Sequence, residues 1–340
     1  MKVTINDVAM LSGVSMKTVS RVINNEASVR PATRDKVMDA VRELNYQPNL
    51  AARSLAGTKS YTIAYIYDNP NAYYVIDMQN GILNECRKQN FELVIHPCNA
   101  KSAGIVTEIS DMIRHSRIAG VVLPPPFSEM SKVTTALSDI GVKFVRILSG
   151  HEAPDNLSPT VMINDFDAAF DITQHLIDLG HKRIGFISGG KQHKFTDERI
   201  NGYKHALQQN HITCDEQLII DGEYDFESGV QGAGKLLKQT DKPSAIFACN
   251  DEIAAGALFA SRLQNVDIPD KLSIVGFENS PFSRQTWPKI TTADQPNQKI
   301  AEQATNLLIS SIQGQRLEQQ SRCFKPSLLV RDSSGEVSSH

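Results

Sequence analysis

The sequence predicts two folds in one chain: an N-terminal all-α helix-turn-helix domain, then an α/β body of two doubly wound parallel-sheet subdomains. Three observations carry this. At 340 residues the chain is too long for one ordinary domain. In the first fifty residues apolar positions recur at three and four, the spacing of helix faces. From residue 61 short β-rich runs alternate with amphipathic segments, the pattern of parallel strands covered by helices on both faces.

Residues 4–12 carry Ile5, Val8, Ala9 and Leu11 with Asn6 and Asp7 near the start, where the helix dipole favours an acid. Gly13 breaks this helix, and Ser15 is a natural N-cap for a second one reaching about residue 24, with Val19, Val22 and Ile23 as its apolar side. After a loop at 25–30, Pro31 opens a third helix in which Val37, Ala40, Val41 and Leu44 repeat, and Pro48 ends the unit. NLAARSLAG, at 49–57, reads as a short separate helix ended by Gly57. Strand candidates follow at 62–68, 92–98, 120–126, 142–148, 160–165, 183–189, 217–221, 245–251 and 272–279. So many exceed one comfortable open sheet, hence two subdomains. The tail at 334–340 is expected to fray.

Composition narrows the function classes. Hydrophobic residues make up 41% and charged residues 21%, as in a globular chain with a real core. No apolar run approaches the ~18 residues that span a bilayer, and MKVTINDVAM has no apolar signal segment, so a cytoplasmic protein is expected. Cys86, Cys98, Cys214, Cys249 and Cys323 are odd in number and widely spaced, which suits reduced thiols rather than a disulfide frame or zinc site. GFISGG lacks the GxGxxG spacing, neither GxxxxGK[ST] nor HExxH is present, and the histidines show no metal-ligand spacing. Asn250-Asp251-Glu252 could hold an acid/base pair, but nothing nearby offers a nucleophile. Neither an enzyme nor a cofactor is expected. The net charge of −3 hides a basic head: residues 1–60 hold nine Lys/Arg against five Asp/Glu, the rest 26 against 33. Such a head suits a polyanion.

In a helix-turn-helix the second helix can enter the major groove. There Ser15 and Thr18 can bond phosphates, while Lys17 and Arg21 can read guanine N7/O6 or bind phosphate. The same residues also suit a solvated face on a small bundle. In the body, ligands of open parallel sheets collect at the carboxyl ends of strands. Asp68, Asn69, Arg146, Asn164, Asp165, Asn250, Asp251, Glu278 and Asn279 stand at or near such ends. They are carboxylates, amides and a guanidinium suited to sugar hydroxyls, though polar residues also end strands for turn chemistry alone.

DVAxLSGVSxxTVSRVIN, then RPATRDKVMDAVRELNYQPN, then AARSLAG closely resemble the N-terminus of the lactose-repressor/galactose-repressor (LacI/GalR) family of bacterial transcription regulators, across about 55 consecutive residues. The resemblance implies a helix-turn-helix domain at 1–48 and a hinge helix and linker at 49–60. It implies a periplasmic-binding-protein-like body, one subdomain from 61–163 with 295–325 and the other from 164–294 with 326–333. Met16, Lys17 and Arg21 then take the base-reading positions, with Thr4, Ser15, Thr18, Ser20, Asn24, Asn49 and Ala52 as further DNA contacts. Leu55 of each protomer becomes a minor-groove wedge that kinks the site. Met16 and Lys17 vary among members, so no operator sequence carries over.

For the effector pocket the resemblance ranks the strand-end residues. ERINGYKHAL points to Arg199, GEYDFESG to Tyr224 as an aromatic over the ligand, and CNDEIAAGAL to Asn250 and Asp251. PNAYYVIDMQNGI points to Tyr74, and ITTADQP, the crossover segment, to Gln295. Glu278 stands where the family has Asp, and Asn164 where Asp is common. Arg146 is no general family feature; facing the pocket, it would favour an acidic sugar or pair with Glu278 or Asp165. Trp287 could stack on a sugar ring, but SRQTWPKITT resembles a segment the family uses at the subunit interface, which favours dimer packing. The implied protein is a homodimeric repressor of a carbohydrate operon that binds pseudo-palindromic operator DNA and a sugar-like effector. A nucleobase or sugar-acid effector is the alternative, as is a sugar-binding protein of the periplasmic type that binds no DNA.

Overall fold

The computed structural model describes residues 3–23, 28–46, 60–69, 71–150, 154–191, 193–316 and 321–337. The chain divides into two compact units, Met1–Tyr61 and Thr62–His340. Asn24, Asn49, Ala52 and Leu55, and with them nearly all of the expected hinge, lie outside the described residues.

Three helices build the first unit: α1 (Ile5–Ser12), α2 (Met16–Ile23) and α3 (Pro31–Glu43). Thr4 and Asp7 form a capping box in which Thr4 N and Oγ1 donate to Asp7 Oδ2 at 2.8 and 2.7 Å. Gly13 ends α1 at φ 67°, the left-handed region where a Cβ is penalised, and this lets the chain turn at once into α2. The predicted cap is in place, with Thr18 N donating to Ser15 Oγ at 3.2 Å. Val8, Ala9, Val19, Val22, Val37 and Ala40 meet in a buried core. Burial of each valine is worth about 1.5–3 kcal/mol, so α2 is held by its apolar side and its opposite side is left outward.

The second unit holds two parallel sheets. β1 (Thr62–Tyr67), β2 (Glu92–Pro97), β3 (Gly120–Leu123), β4 (Lys143–Ser149), β5 (Thr160–Ile163) and β11 (Ser321–Phe324) form one, in the order β11-β5-β4-β3-β1-β2. β6 (Ile184–Ile187), β7 (Ile219–Ile220), β8 (Ala245–Ala248) and β9 (Ser273–Val275) form the other, in the order β7-β6-β8-β9. β10 (Thr292–Asp294) pairs antiparallel with β12 (Ser327–Leu329). It also continues the second sheet, because Gly276 N and Glu278 N donate to Thr291 O and Ala293 O at 2.8 and 2.9 Å. All nine predicted strands are present, and β3, β5, β6, β8 and β9 are buried throughout because both faces are covered. β10, β11 and β12 are short additions that alternation alone did not mark.

Helices α4 (Ala72–Gln89), α5 (Ile105–His115), α6 (Ser131–Asp139) and α12 (Asn297–Ile312) serve the first sheet. Helices α7 (Asp165–Asp178), α8 (Lys194–Gln209), α9 (Phe226–Leu237), α10 (Asp251–Leu263) and the short α11 (Pro281–Gln285) serve the second. The chain passes between the halves at Asn164, around Gln295 and between β11 and β12. Among the described residues no helix is long and apolar enough to cross a membrane.

The expected frayed tail is corrected in part: residues 334–337 are docked. Gly335 O lies 3.0 Å from His181 Nε2, Ser334 Oγ 3.0 Å from His175 Nε2, and Val337 N donates to Leu179 O at 3.0 Å. The buried His181 needs partners, and the tail backbone supplies one; a polar sequence does not reveal this.

Helices α9 and α10 cross at two glycines. A Cβ on Gly256 would sit 2.0 Å from Phe226 O, and one on Gly229 2.0 Å from Ile253 O. The obstacles are backbone, which cannot swing aside, so Gly256→Ala must part the helices. Overpacking of this kind costs about 1–3 kcal/mol, so the variant is expected to unfold at lower urea than the parent. An unchanged midpoint would show that the crossing relaxes freely.

Candidate functional site

A cavity opens where strand ends of the two sheets face each other. Its atom-free volume is about 380 Å³, open mouth included. The lining comprises Asn69, Tyr74, Pro125, Leu148, Ser149 and Ile163 from the first half, and Asp165, Phe195, Arg199, Glu278 and Gln295 from the second half and the crossovers.

Arg199 organises this cavity. It projects from α8, fully buried, and its Nε donates to Asp165 Oδ1 at 2.8 Å. Its Nη1 donates to Cys249 O at 2.7 Å and its Nη2 to Gln295 Oε1 at 3.5 Å. The guanidinium lies 3.7 Å from the centre of the Phe277 ring, a cation–π contact in a desolvated place. Ser149 Oγ donates to the other oxygen of Asp165 at 2.5 Å. Burial opposes the charge on Arg199, but Asp165 and the other groups around it, Cys249, Tyr224 and Glu278, together outweigh burial and keep the guanidinium charged.

Glu278 takes the remaining side. Its Oε1 is 3.8 Å from Arg199 Nη1 and its Oε2 accepts from Asn71 Nδ2 at 2.7 Å. The extra methylene relative to Asp is spent on this reach across the cavity to Asn71. The residue sits at φ 99°, a left-handed backbone that a non-glycine adopts at a cost of order 1–3 kcal/mol. Burial pushes its carboxyl up to about 8, against the opposing pull of Arg199. The cavity thus sets the Arg199 guanidinium beside two acids, and burial favours the protonated form of Glu278.

Of the ten expected effector residues, Tyr74, Asp165, Arg199, Glu278 and Gln295 line the cavity. The other five stand apart from it. Arg146 is corrected: its guanidinium bonds Ser158 Oγ at 3.0 Å and pairs with Asp155, neither Glu278 nor Asp165. It lies two residues before Leu148, back from the strand end. Tyr224 is corrected too: its ring packs against Gly189 and its hydroxyl is 2.5 Å from Thr196 Oγ1, so it supports the wall from behind. From this stack it is Phe195, tilted on Tyr224 with ring centres 5.3 Å apart, that reaches the cavity, in addition to Tyr74 from the first half. Asn164 caps α7, exchanging hydrogen bonds with Asp167 at 3.0 and 2.7 Å. Asp251 accepts from Thr292 Oγ1 and Ser280 N, both at 2.6 Å, and so fastens β10 to α10. Asn250 caps α10 through Ile253 N at 2.9 Å, while its Nδ2 is buried with no hydrogen-bond partner. Phe195, Leu148, Ser149 and Pro125 were missed because apolar and small residues carry no chemical signature in a sequence.

In the first unit Ser15, Met16, Lys17 and Arg21 are exposed along α2, opposite the buried Val19 and Val22, with Thr18 and Ser20 half-buried beside them. Ser15 Oγ and Thr18 Oγ1 lie 3.0 Å apart. α2 carries no acidic residue, so its outward side is basic and hydroxylated. Thr4 is engaged in the capping box, at the start of α1.

Comparison with known proteins turns this geometry into a family. The model for bacterial regulatory proteins of the lacI family matches residues 4–49, and that for a periplasmic binding protein-like domain matches 173–334. Catabolite control protein A of Priestia megaterium is 31% identical over 309 residues, 91% of this chain and 92% of its own length. The chain belongs to the LacI family. As a LacI-family protein it is a DNA-binding transcription regulator and not an enzyme. The transcriptional repressor PurR of Vibrio vulnificus (strain CMCP6) is 30% identical over 334 residues, 97% of this chain and 98% of its own. The solved complex of the transcriptional regulator CelR with cellobiose matches with a TM-score of 0.74 at 27% identity, covering 97% of this chain and 99% of that one.

The Glu278 shift makes a stability prediction for this LacI-family protein. Its carboxyl titrates higher folded than unfolded, so the folded state holds the extra proton between the two pKa values, and stability falls as pH rises from about 5 through 8. Burial raises Asp251 and Glu129, each to about 7, and they add in the same direction. Glu278→Gln, which cannot ionise, is expected to show a shallower loss of urea midpoint over that range. Equal slopes would place the titration elsewhere.

Proposed function

We propose that the protein is a homodimeric repressor of a carbohydrate operon, in which two α2 helices read the half-sites of a two-fold operator and a neutral sugar in the cavity controls the affinity. One recognition helix per chain calls for a second copy, since closed dimers pair naturally with pseudo-palindromic sites. Arg21 and Lys17 take base edges or phosphates, Met16 an apolar base contact, and Ser15, Thr18 and Ser20 the backbone. The expected roles of Asn24, Asn49, Ala52 and Leu55 complete the interface on the family's pattern. Trp287, 72% exposed, offers apolar surface for the second copy.

The observation that carries the effector class is the charge balance of the cavity. Arg199 is the one cation among its described lining residues, and Asp165 already satisfies it. An anionic effector would find no free counter-charge, and with Arg146 paired outside, the argument for a sugar acid loses its basis. Neutral hydroxyls suit Asp165, Asn69, Gln295, Glu278 and Tyr74, with Phe195 for the apolar side of a ring. Relatives include a ribose operon repressor of Haemophilus influenzae and the regulator solved with cellobiose, which supports a sugar, alongside several repressors named PurR.

Two experiments test this. In fluorescence anisotropy against genomic duplex fragments, the parent should bind selected fragments with an affinity that falls steeply with salt, because phosphate contacts release counterions. Arg21→Ala should lose selective binding by about 1–3 kcal/mol while its circular dichroism stays that of the parent. Absence of selective binding at every salt concentration would overturn the regulator reading. In a thermal-shift screen, neutral mono- or disaccharides should raise the melting temperature, with about 2.7 kcal/mol of stabilisation at a hundredfold excess over Kd. Gln295→Ala should weaken that shift. A response to sugar acids or purines alone would overturn the neutral-sugar reading and leave DNA binding untouched.

A further inference from the structure

Away from the cavity and the head, the edge strand β2 and helix α5 bring together three side chains of metal-ligand type. His96 is on β2 and Cys98 follows directly after it, two residues apart and so on one face of the extended chain. Glu108 projects from the first turn of α5. The ligand atoms of the three all lie within 4.8 Å of one another. A tetrahedral zinc ion with bonds of about 2.0–2.3 Å sets its ligand atoms roughly 3.3–3.8 Å apart, so small rotamer adjustments close the site.

The local chemistry leaves room for a cation. His96 Nε2 is buried and forms no hydrogen bond, although Glu108 Oε1 stands 3.3 Å away. A buried imidazole nitrogen whose one contact is a carboxylate at ion-pair distance, with a thiol close by, is well placed to share a metal ion with both. Metal binding would displace the Cys98 thiol proton, as it does for any coordinating thiol. Glu108 is 45% exposed, so water can reach the fourth position.

We propose that His96, Cys98 and Glu108 form a binding site for a zinc-class divalent cation, completed by water. A nitrogen, a sulfur and a carboxylate oxygen suit zinc and its analogues, and a thiolate disfavours magnesium or calcium. The site is tied to the exit of β1, because Cys98 N donates to Tyr67 O at 2.9 Å and Ala100 N to Asp68 Oδ2 at 2.8 Å. Asn69, next in the chain, lines the cavity.

The test uses the full-length chain, reduced and stripped with a chelator, titrated with Co²⁺ as a spectroscopic probe. One equivalent per chain should bind, with a thiolate-to-Co²⁺ charge-transfer band in the near ultraviolet that Zn²⁺ abolishes by displacement. Cys98→Ser should remove the band, whereas Cys323→Ser and Cys214→Ser should retain it. His96→Gln and Glu108→Gln, on partly exposed side chains that the fold tolerates, should each weaken Co²⁺ binding at least about tenfold. The proposal is overturned if the parent shows no such band, if Cys98→Ser keeps it in a chain with the parent's circular dichroism, or if neither His96→Gln nor Glu108→Gln changes the affinity.

Discussion

One buried guanidinium orders the strand ends on one side of the cavity together with two of the crossovers beside them. Arg199 leaves α8 and meets Asp165 at the first crossover, Cys249 at the end of β8, Phe277 beyond β9, and Gln295 at the second crossover. Each contact is short-range and desolvated, so each counts for more than it would in water. The charge is expensive to bury, and pairing it repays that cost only with good geometry. Its value is therefore specificity: strand ends from separate parts of the chain have one arrangement that satisfies the guanidinium. A ligand entering the cavity competes for the same hydrogen-bonding groups. It acts on the body to the extent that it binds one disposition of those groups better than another.

Much of the fold was legible because its signals are local. The alternation of apolar runs and amphipathic stretches marks nine strands, and Gly13, Ser15 and Pro31 mark the helix boundaries in the first unit through backbone and capping chemistry. β10, β11 and β12 were not legible. Each has three or four residues, and their pairing partners are far away in sequence, as with Thr292 opposite Leu329. The tail escaped for a similar reason, since the partners of Gly335 are His181 and Ser273, more than sixty residues off.

The cavity was legible by halves. Charged residues at strand ends announce themselves, and Arg199, Asp165 and Glu278 do meet. What a sequence conceals is which polar residues are already spent on the fold. Asn164, Asn250 and Asp251 cap helices or fasten a crossover, and Arg146 belongs to an ion pair with Asp155 formed by the loop after its strand. The exchange of Tyr224 for Phe195 has the same origin: both rings are in one stack, and only the packing against Gly189 decides which is inner.

The triple passage of the chain between the two sheets has a consequence for motion. Covalent connections at Asn164, Gln295 and Lys325 keep the facing strand ends together however far the walls part. Rejoining them is then a first-order event, indifferent to protein concentration. Three strands of backbone side by side also restrict the relative movement to a swing about those segments, of the kind that proceeds on the μs–ms scale.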